Sequence, residues 1–292
     1  MILTFAAALV LGCAVQVQAA DQSLFNEGVN AFELGKYAEA RQKLEAYLLQ
    51  SPSSEEVLNL LDQVGYKQFM QMQSANDVSL NKIATEVLHL SSIETRRRQQ
   101  DGEAIGKALE AYFGTNDFLV QQRALAVALC KHGIYLLPGL VERLAVADNE
   151  VRVKAILAIA RLDDSVIPLC RVLRHSDPAV QQGAISALSK LNEPAAAASL
   201  QMLAESASDV GVRTEAATVA RRLGSATNAY EGLVAVASKF FMNDTFLTRT
   251  YHDPIIWELK DGALTFKNVE SYEVNELRAK QFLADAMDLN RE

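Results

Sequence analysis

A skeleton of Asp-x-x-Val-x-x-x-Ala recurs four times in the middle of this chain, and it limits what the chain can fold into more than any other feature. The copies are DFLVQQRA from Asp117, DNEVRVKA from Asp148, DPAVQQGA from Asp177 and DVGVRTEA from Asp209. Aligned on Val120, Val151, Val180 and Val212, they stand 31, 29 and 32 residues apart. A near-constant period of this size marks stacked structural units. Four residues after each Val comes Ala124, Ala155, Ala184 or Ala216, followed by Leu125, Ile156, Ile185 or Ala217. Lys131, Leu162, Leu191 and Leu223 follow at the eleventh position. These offsets put the side chains on one face of an α-helix. An Asp just ahead of a helix accepts bonds from its first free N–H groups and suits the positive end of its dipole. The small Ala predicts close approach of a neighbouring helix.

Between the copies lie shorter apolar segments, GIYLLPGLVERLA, SVIPLCRVLRH and PAAAASLQMLAES. Pro138, Pro168 and Pro194 fall near their starts, where a helix tolerates proline. Each unit therefore reads as a helix pair, which cannot bury its apolar face alone but can do so in a stack. Half the residues are apolar and only 7% aromatic, which favours close-packed helices over sheets. Over about Asp101 to Gly224 the units resemble HEAT repeats of the short kind with a D-x-x-V-R-x-x-A signature. Val120 and Val180 depart from it, being followed by Gln.

Before this array, Gly28, Gly35, Tyr37, Ala40, Leu44 and Pro52 fall at the spacing of one tetratricopeptide repeat, which Gln22 to Ser53 resembles. Tyr47 departs from it, standing where that family usually has a small residue. Glu56–Gln73 and Leu80–Leu90 read as further helices, and Glu94–Gln100 as a polar bridge. After the array, Ile255–Leu259 and Ala263–Val269 flank Lys260-Asp261-Gly262, a hairpin signal. Glu273–Leu289 reads as a last amphipathic helix, and its end resembles the second helix of a tetratricopeptide repeat. The expected fold is all-α: an α-solenoid with a small β-hairpin and a terminal helix. The expected segments are 1–19 as leader, 20–100 tetratricopeptide-like, 101–242 HEAT-like, and 243–292 hairpin plus helix. The whole order resembles a group of exported bacterial repeat proteins, and a further helix pair would be expected where this chain stops.

The leader expectation rests on an apolar run, Ile2–Leu11, followed by Val17-Gln18-Ala19, a small-residue cleavage pattern. No Lys or Arg precedes the run, which is too short to span a bilayer. The reading is export to the periplasm or beyond. The alternatives are a lipoprotein anchored through Cys13 and a buried N-terminal helix. Cys130 and Cys170 both sit in apolar helical patterns and are expected as buried free thiols.

The four histidines, His89, His132, His175 and His252, lack the spacing of a zinc hydrolase site. No Walker, nucleophile-elbow or dinucleotide-binding motif is present. The expectation is therefore no catalytic residue, no cofactor and no metal. A net charge of −8 argues against nucleic acid as the main partner. Against that balance, the four Asp-x-x-Val helices carry nine basic residues and one acid, Glu215. Arg123, Arg152, Lys154, Arg161, Lys190, Arg213 and Arg222 are the candidate groove residues for an acidic segment of a protein partner. The bland explanation is structural. Arg152 and Arg213 lie four residues after an Asp and could pair with it, and cations in last turns suit the helix dipole. Arg96–Arg98 reads as a solvated helix end. Trp257 and the pair Phe240–Phe241, with Phe246, are expected to pack the hairpin and last helices. The leading expectation is a non-catalytic scaffold for protein–protein interaction outside the cytoplasm. The rival is a HEAT-repeat enzyme or enzyme subunit of a lyase-like kind.

Overall fold

The computed structural model describes residues 19–225, 228–245, 247, 251 and 253–289. The apolar leader run, Cys13, Val17, Gln18, Phe246 and His252 lie outside the described residues. The chain divides between Arg98 and Gln99 into two compact units.

The first unit opens with α1 (Gln22–Glu33) and α2 (Tyr37–Leu48), which pack on each other. Gly28 allows this contact, because a Cβ there would lie 2.6 Å from Leu44 Cγ and 3.3 Å from the Ala40 carbonyl oxygen. The ring of Phe25 is fully buried, edge-on to Tyr47 at 5.2 Å and stacked on Phe69 at 5.4 Å. Tyr47 thus fills core volume where a small residue was the expectation. Burial raises its phenol to about 12. Ser53 and Glu56 form a reciprocal capping box at the start of α3 (Ser54–Val64). The helix expected over Glu56–Gln73 is broken at Gly65, whose φ of +86° ends α3 before α4 (Lys67–Gln73) begins. α5 (Val78–Gln99) is longer than expected and takes in most of the supposed polar bridge.

The second unit begins with α6 (Gly102–Phe113) and then alternates two kinds of helix. The Asp-x-x-Val copies form α7 (Phe118–His132), α9 (Asn149–Ile159), α11 (Pro178–Leu191) and α13 (Val210–Arg222). Every one is capped as its sequence requires. Asp117, Asp148, Asp177 and Asp209 each accept from a backbone N–H of the first turn at 2.8–3.0 Å. The intervening segments form α8 (Leu137–Glu142), α10 (Val166–Val172) and α12 (Ala197–Ser206), followed by α14 (Ala229–Phe241) after the last copy. A short 3-10 turn leads into each of α8, α10 and α12. α9 packs on α11 and α11 on α13, while α12 packs against α13 and α14. Ala155, Ala184 and Ala216 are fully buried at these contacts. At Gly183 even a methyl group is excluded, since a Cβ would lie 2.8 Å from a terminal carbon of Leu144.

The hairpin pairs β1 (Ile255–Lys260) with β2 (Ala263–Asn268), from Ile255 opposite Asn268 to Lys260 opposite Ala263. Asp261 and Gly262 both take positive φ, 51° and 79°, as a two-residue turn of the primed type demands. The hairpin lies on α8 and α10, and α15 (Val274–Leu289) packs along α14. Trp257 is buried beside Phe266, 5.3 Å away, and its carbonyl accepts from Gln281 of α15 at 2.8 Å. Phe240 is buried and stacked on Phe282 at 5.9 Å, but Phe241 is 68% exposed because it points off the other side of α14.

Gly183 and Gly106 separate packing from propensity. Gly183→Val should cost about 1–3 kcal/mol, because Leu144 is itself fully buried and cannot yield. Gly106→Ala, inside α6 with open space at its Cβ, should gain up to about 1 kcal/mol. Denaturant midpoints of the two variants should move in opposite directions.

Candidate functional site

The row made by α7, α9, α11 and α13, with the turn that follows α9, carries all seven candidate basic residues, and the repeat register decides what each can do. Counting from the skeleton Val, Arg161, just past the end of α9, and Arg222 of α13 occupy the tenth position. Both reach back to the preceding helix of the row. Arg161 donates to Gln122 Oε1 at 3.1 Å, and Arg222 to the Ser189 carbonyl and hydroxyl at 2.6 and 2.8 Å. At the third position, Lys154 is largely covered, ion-paired with Glu150 at 2.8 Å and 3.5 Å from Asn116 Oδ1. Beside it, the Tyr112 hydroxyl donates to the Lys154 carbonyl at 3.0 Å. In α9 and α13 the side that bears these positions therefore faces the preceding repeat, and in α11 the third position, Gly183, does so against Leu144.

Arg152 and Arg213 behave differently from the sequence expectation. Their Asp residues are engaged as caps, so the guanidiniums turn elsewhere. Arg152 donates to Asn149 Oδ1 at 3.3 Å, and Arg213 to the Ala207 and Ser208 carbonyls at 2.7 and 2.9 Å. Arg123 and Lys190 are exposed and make no side-chain bond among the described residues. Glu215, the single acid, accepts from the Ser186 hydroxyl at 3.3 Å.

The two cysteines part company. Cys170 is buried, and desolvation pushes its thiol up to about 11. Cys130 is exposed, contrary to the expectation of two buried thiols. It stands at the tenth position of α7, on the side that faces a preceding unit in the later copies. His132 is buried with Nδ1 3.0 Å from the Gln99 carbonyl oxygen. His175 joins two elements: its Nδ1 accepts from the Asp177 backbone N–H at 2.9 Å, and its Nε2 donates to the Gly262 carbonyl at 3.0 Å. Among the described residues no group of three or more His, Cys, Asp or Glu side chains is placed to hold a metal.

Two features were not legible as pairs in the sequence. Arg171 of α10 and Arg174, two residues past its end, meet Asp285 and Asp288 of α15, with Arg171 and Asp285 buried and Arg174 at 2.8 Å from Asp288. Arg278 is buried under the hairpin, donating to the carbonyls of Tyr251, Asp253 and Ile255. Burial lowers its guanidinium to about 10. The i, i+3 spacing of both partners in the first cluster is the one signal that could have suggested it. The row also exposes large apolar side chains that charge counting passed over, including Leu119, Val127, Val153 and Leu157.

Arg96–Arg98 is more than a solvated end. In the first unit, Arg97 and Arg98 both grip the buried carboxylate of Glu94, at 2.6 and 2.9 Å, and Arg98 also donates to Asn59.

A family model for HEAT repeats matches residues 137–221, and the chain is similar to that family over this stretch. The match opens on α8 and ends inside α13, taking in α9 and α11 and leaving α7 outside. No curated protein matches the chain.

The Glu94 clasp has a signed pH consequence. The hydrogen bond from Arg97, joined by that from Arg98, lowers the Glu94 carboxyl from 4.5 to about 2 against the opposing effect of burial. A folded-state pKa below the unfolded one contributes stability above about pH 4.5, and that contribution is lost as pH falls toward 2. Between those limits Glu94→Gln should show a flatter loss of stability with acid than the parent chain, followed by denaturant titration at each pH. Equal slopes would remove the clasp from the account.

Proposed function

We propose that this chain is a non-catalytic α-solenoid scaffold that binds protein partners outside the cytoplasm. One observation carries the reading: the positions that build the row repeat, while those that look out from it do not. The caps Asp117, Asp148, Asp177 and Asp209 are invariant among the copies. The sixth position after each Val looks outward in three copies, as Ala126, Leu157 and Thr218, and in the third copy it is the half-buried Ser186. A regular frame with a varied outward surface suits recognition of an extended partner. The basic residues that keep solvent access, Arg123 and Lys190 above all, favour an acidic segment in that partner. The small-residue pattern after the N-terminal apolar run supports export. The Gly28–Leu44 contact and the α1–α2 pair support a tetratricopeptide-like start.

The test is a photo-reactive residue at Lys190, on α11 of the row, against one at Lys239, on α14 outside it. With the envelope fraction as the source of partners, a discrete protein adduct should form from Lys190 and not from Lys239. Arg123→Gln with Lys190→Gln should weaken that adduct without lowering the melting temperature. Arg213→Gln and Arg222→Gln should lower the melting temperature, since those side chains hold neighbouring backbone carbonyls. Adducts from neither position would defeat the scaffold reading.

A further inference from the structure

The first helix of the row, α7, differs from the other three on one face. In the later copies the skeleton Val and the seventh residue after it are covered. Val180 and Ala187 are at most 1% exposed, Val212 and Val219 at most 6%, and Ala158 is fully buried beside a half-buried Val151. The same positions in the first copy, Val120 and Val127, are 50% and 54% exposed. The reason is the register established above, in which this side of α9, α11 and α13 faces the preceding repeat. In α7 it has none of the row before it.

Its residues are nevertheless those of a contact. Leu119 stands where the later copies carry Glu150, Ala179 and Gly211, and Cys130 where they carry Arg161, Lys190 and Arg222. One exposed apolar residue would carry no meaning, but Leu119, Val120, Val127 and Cys130 lie together on one side of α7. Two cations, Arg123 and Lys131, punctuate the α7 face, and the helix contains no acid. They are eight residues apart, which is about 12 Å along the axis.

We propose that the open face of α7 docks an amphipathic α-helix of a partner protein in the place of a missing repeat. That helix presents apolar residues at i, i+4 and i+7, with carboxylates two turns apart opposite Arg123 and Lys131. The inference rests on the scaffold reading and names its partner class and its surface. Charge complementarity selects this occupant: a face with two free cations and no acid rejects a basic helix and favours an acidic one.

Cys130 lies in the face and serves as its reporter, because Cys170 is buried. The experiment uses the full chain with Cys13→Ser and follows maleimide labelling of Cys130. The probe is a synthetic helix of about four turns with Leu at i, i+4 and i+7 and two Glu eight residues apart. A twin peptide carries Lys in place of Glu. In the free protein Cys130 should label rapidly. The acidic peptide should slow it at least about tenfold at concentrations in the micromolar range, and the basic twin should not. Val127→Glu and Leu119→Glu, both at exposed positions, should each remove the protection while leaving the melting temperature unchanged. Arg123→Glu should turn the preference toward the basic twin.

Slow labelling in the free protein would overturn the proposal, since the face would then be covered by the chain itself. Equal protection by both peptides or by neither would do the same. So would protection by vesicles of phosphatidylglycerol and phosphatidylcholine but not by peptide, which would make the face a lipid contact. If the peptide fails while Lys190 still gives a discrete adduct, the scaffold reading stands and this surface falls.

Discussion

The structure of the second unit depends on one arrangement: an Asp that closes the first turn of a helix, with a small side chain two turns inside it. The carboxylate satisfies backbone N–H groups that would otherwise face the loop, and fixes where the helix starts. The Ala residues then lie at the contact between neighbours, where anything larger would hold the helices apart. Gly183 shows how narrow the tolerance is, with Leu144 lying where a Cβ would be. Once start and separation are fixed, position on the skeleton decides whether a side chain meets the preceding helix, the following one or solvent.

That register explains why most of the positive charge on the row is not free. A guanidinium at the tenth position is long enough to reach the helix behind it, and Arg161 and Arg222 do so. Arg213 turns back to loop carbonyls that precede its own helix, because Asp209 is already occupied with Val212. Hydrogen bonds of a charged donor to otherwise unpaired carbonyls contribute about 1.5–3 kcal/mol each, more than an exposed ion pair. The same logic runs deeper at Arg171 and Asp285. Removing one member of such a buried pair costs about 3–5 kcal/mol, because the other charge is left without a partner. α15 is thus held to α10 by charge as well as by Phe282, over whose ring Arg171 lies.

The sequence was legible where local chemistry repeats. Four Asp caps, the Ala positions, the alternation of helices and the Asp261-Gly262 turn could all be read from spacing alone. Gly65 was passed over because one glycine inside an apolar pattern does not by itself reveal a left-handed φ. Cys130 and Phe241 were misjudged because an apolar residue in a helical pattern gives its face but not whether that face has a neighbour. The pairing of Arg171 with Asp285 spans more than a hundred residues, and the intended partners of Arg152 and Arg213 were already engaged. Charge counting pointed to the row, yet it could not separate the cations that staple the row from Arg123 and Lys190, which do not.

A stacked array must finish somewhere, and its two open apolar surfaces differ in kind. Along the row, α13 ends on Thr214, Thr218 and Arg221, all exposed and polar, which need no cover. In the other layer, α14 and α15 leave an apolar groove of about 320 Å³ beside Phe241, Met242 and Leu283. The charges at that groove, Glu276 and Lys280, are paired with each other at 2.6 Å, so it carries no sign by which to choose a partner. The α7 face has apolar area together with two cations and no acid, and area with a sign is what discriminates among partners. Of the unfinished surfaces in the second unit, α7 is the one whose chemistry specifies what should complete it.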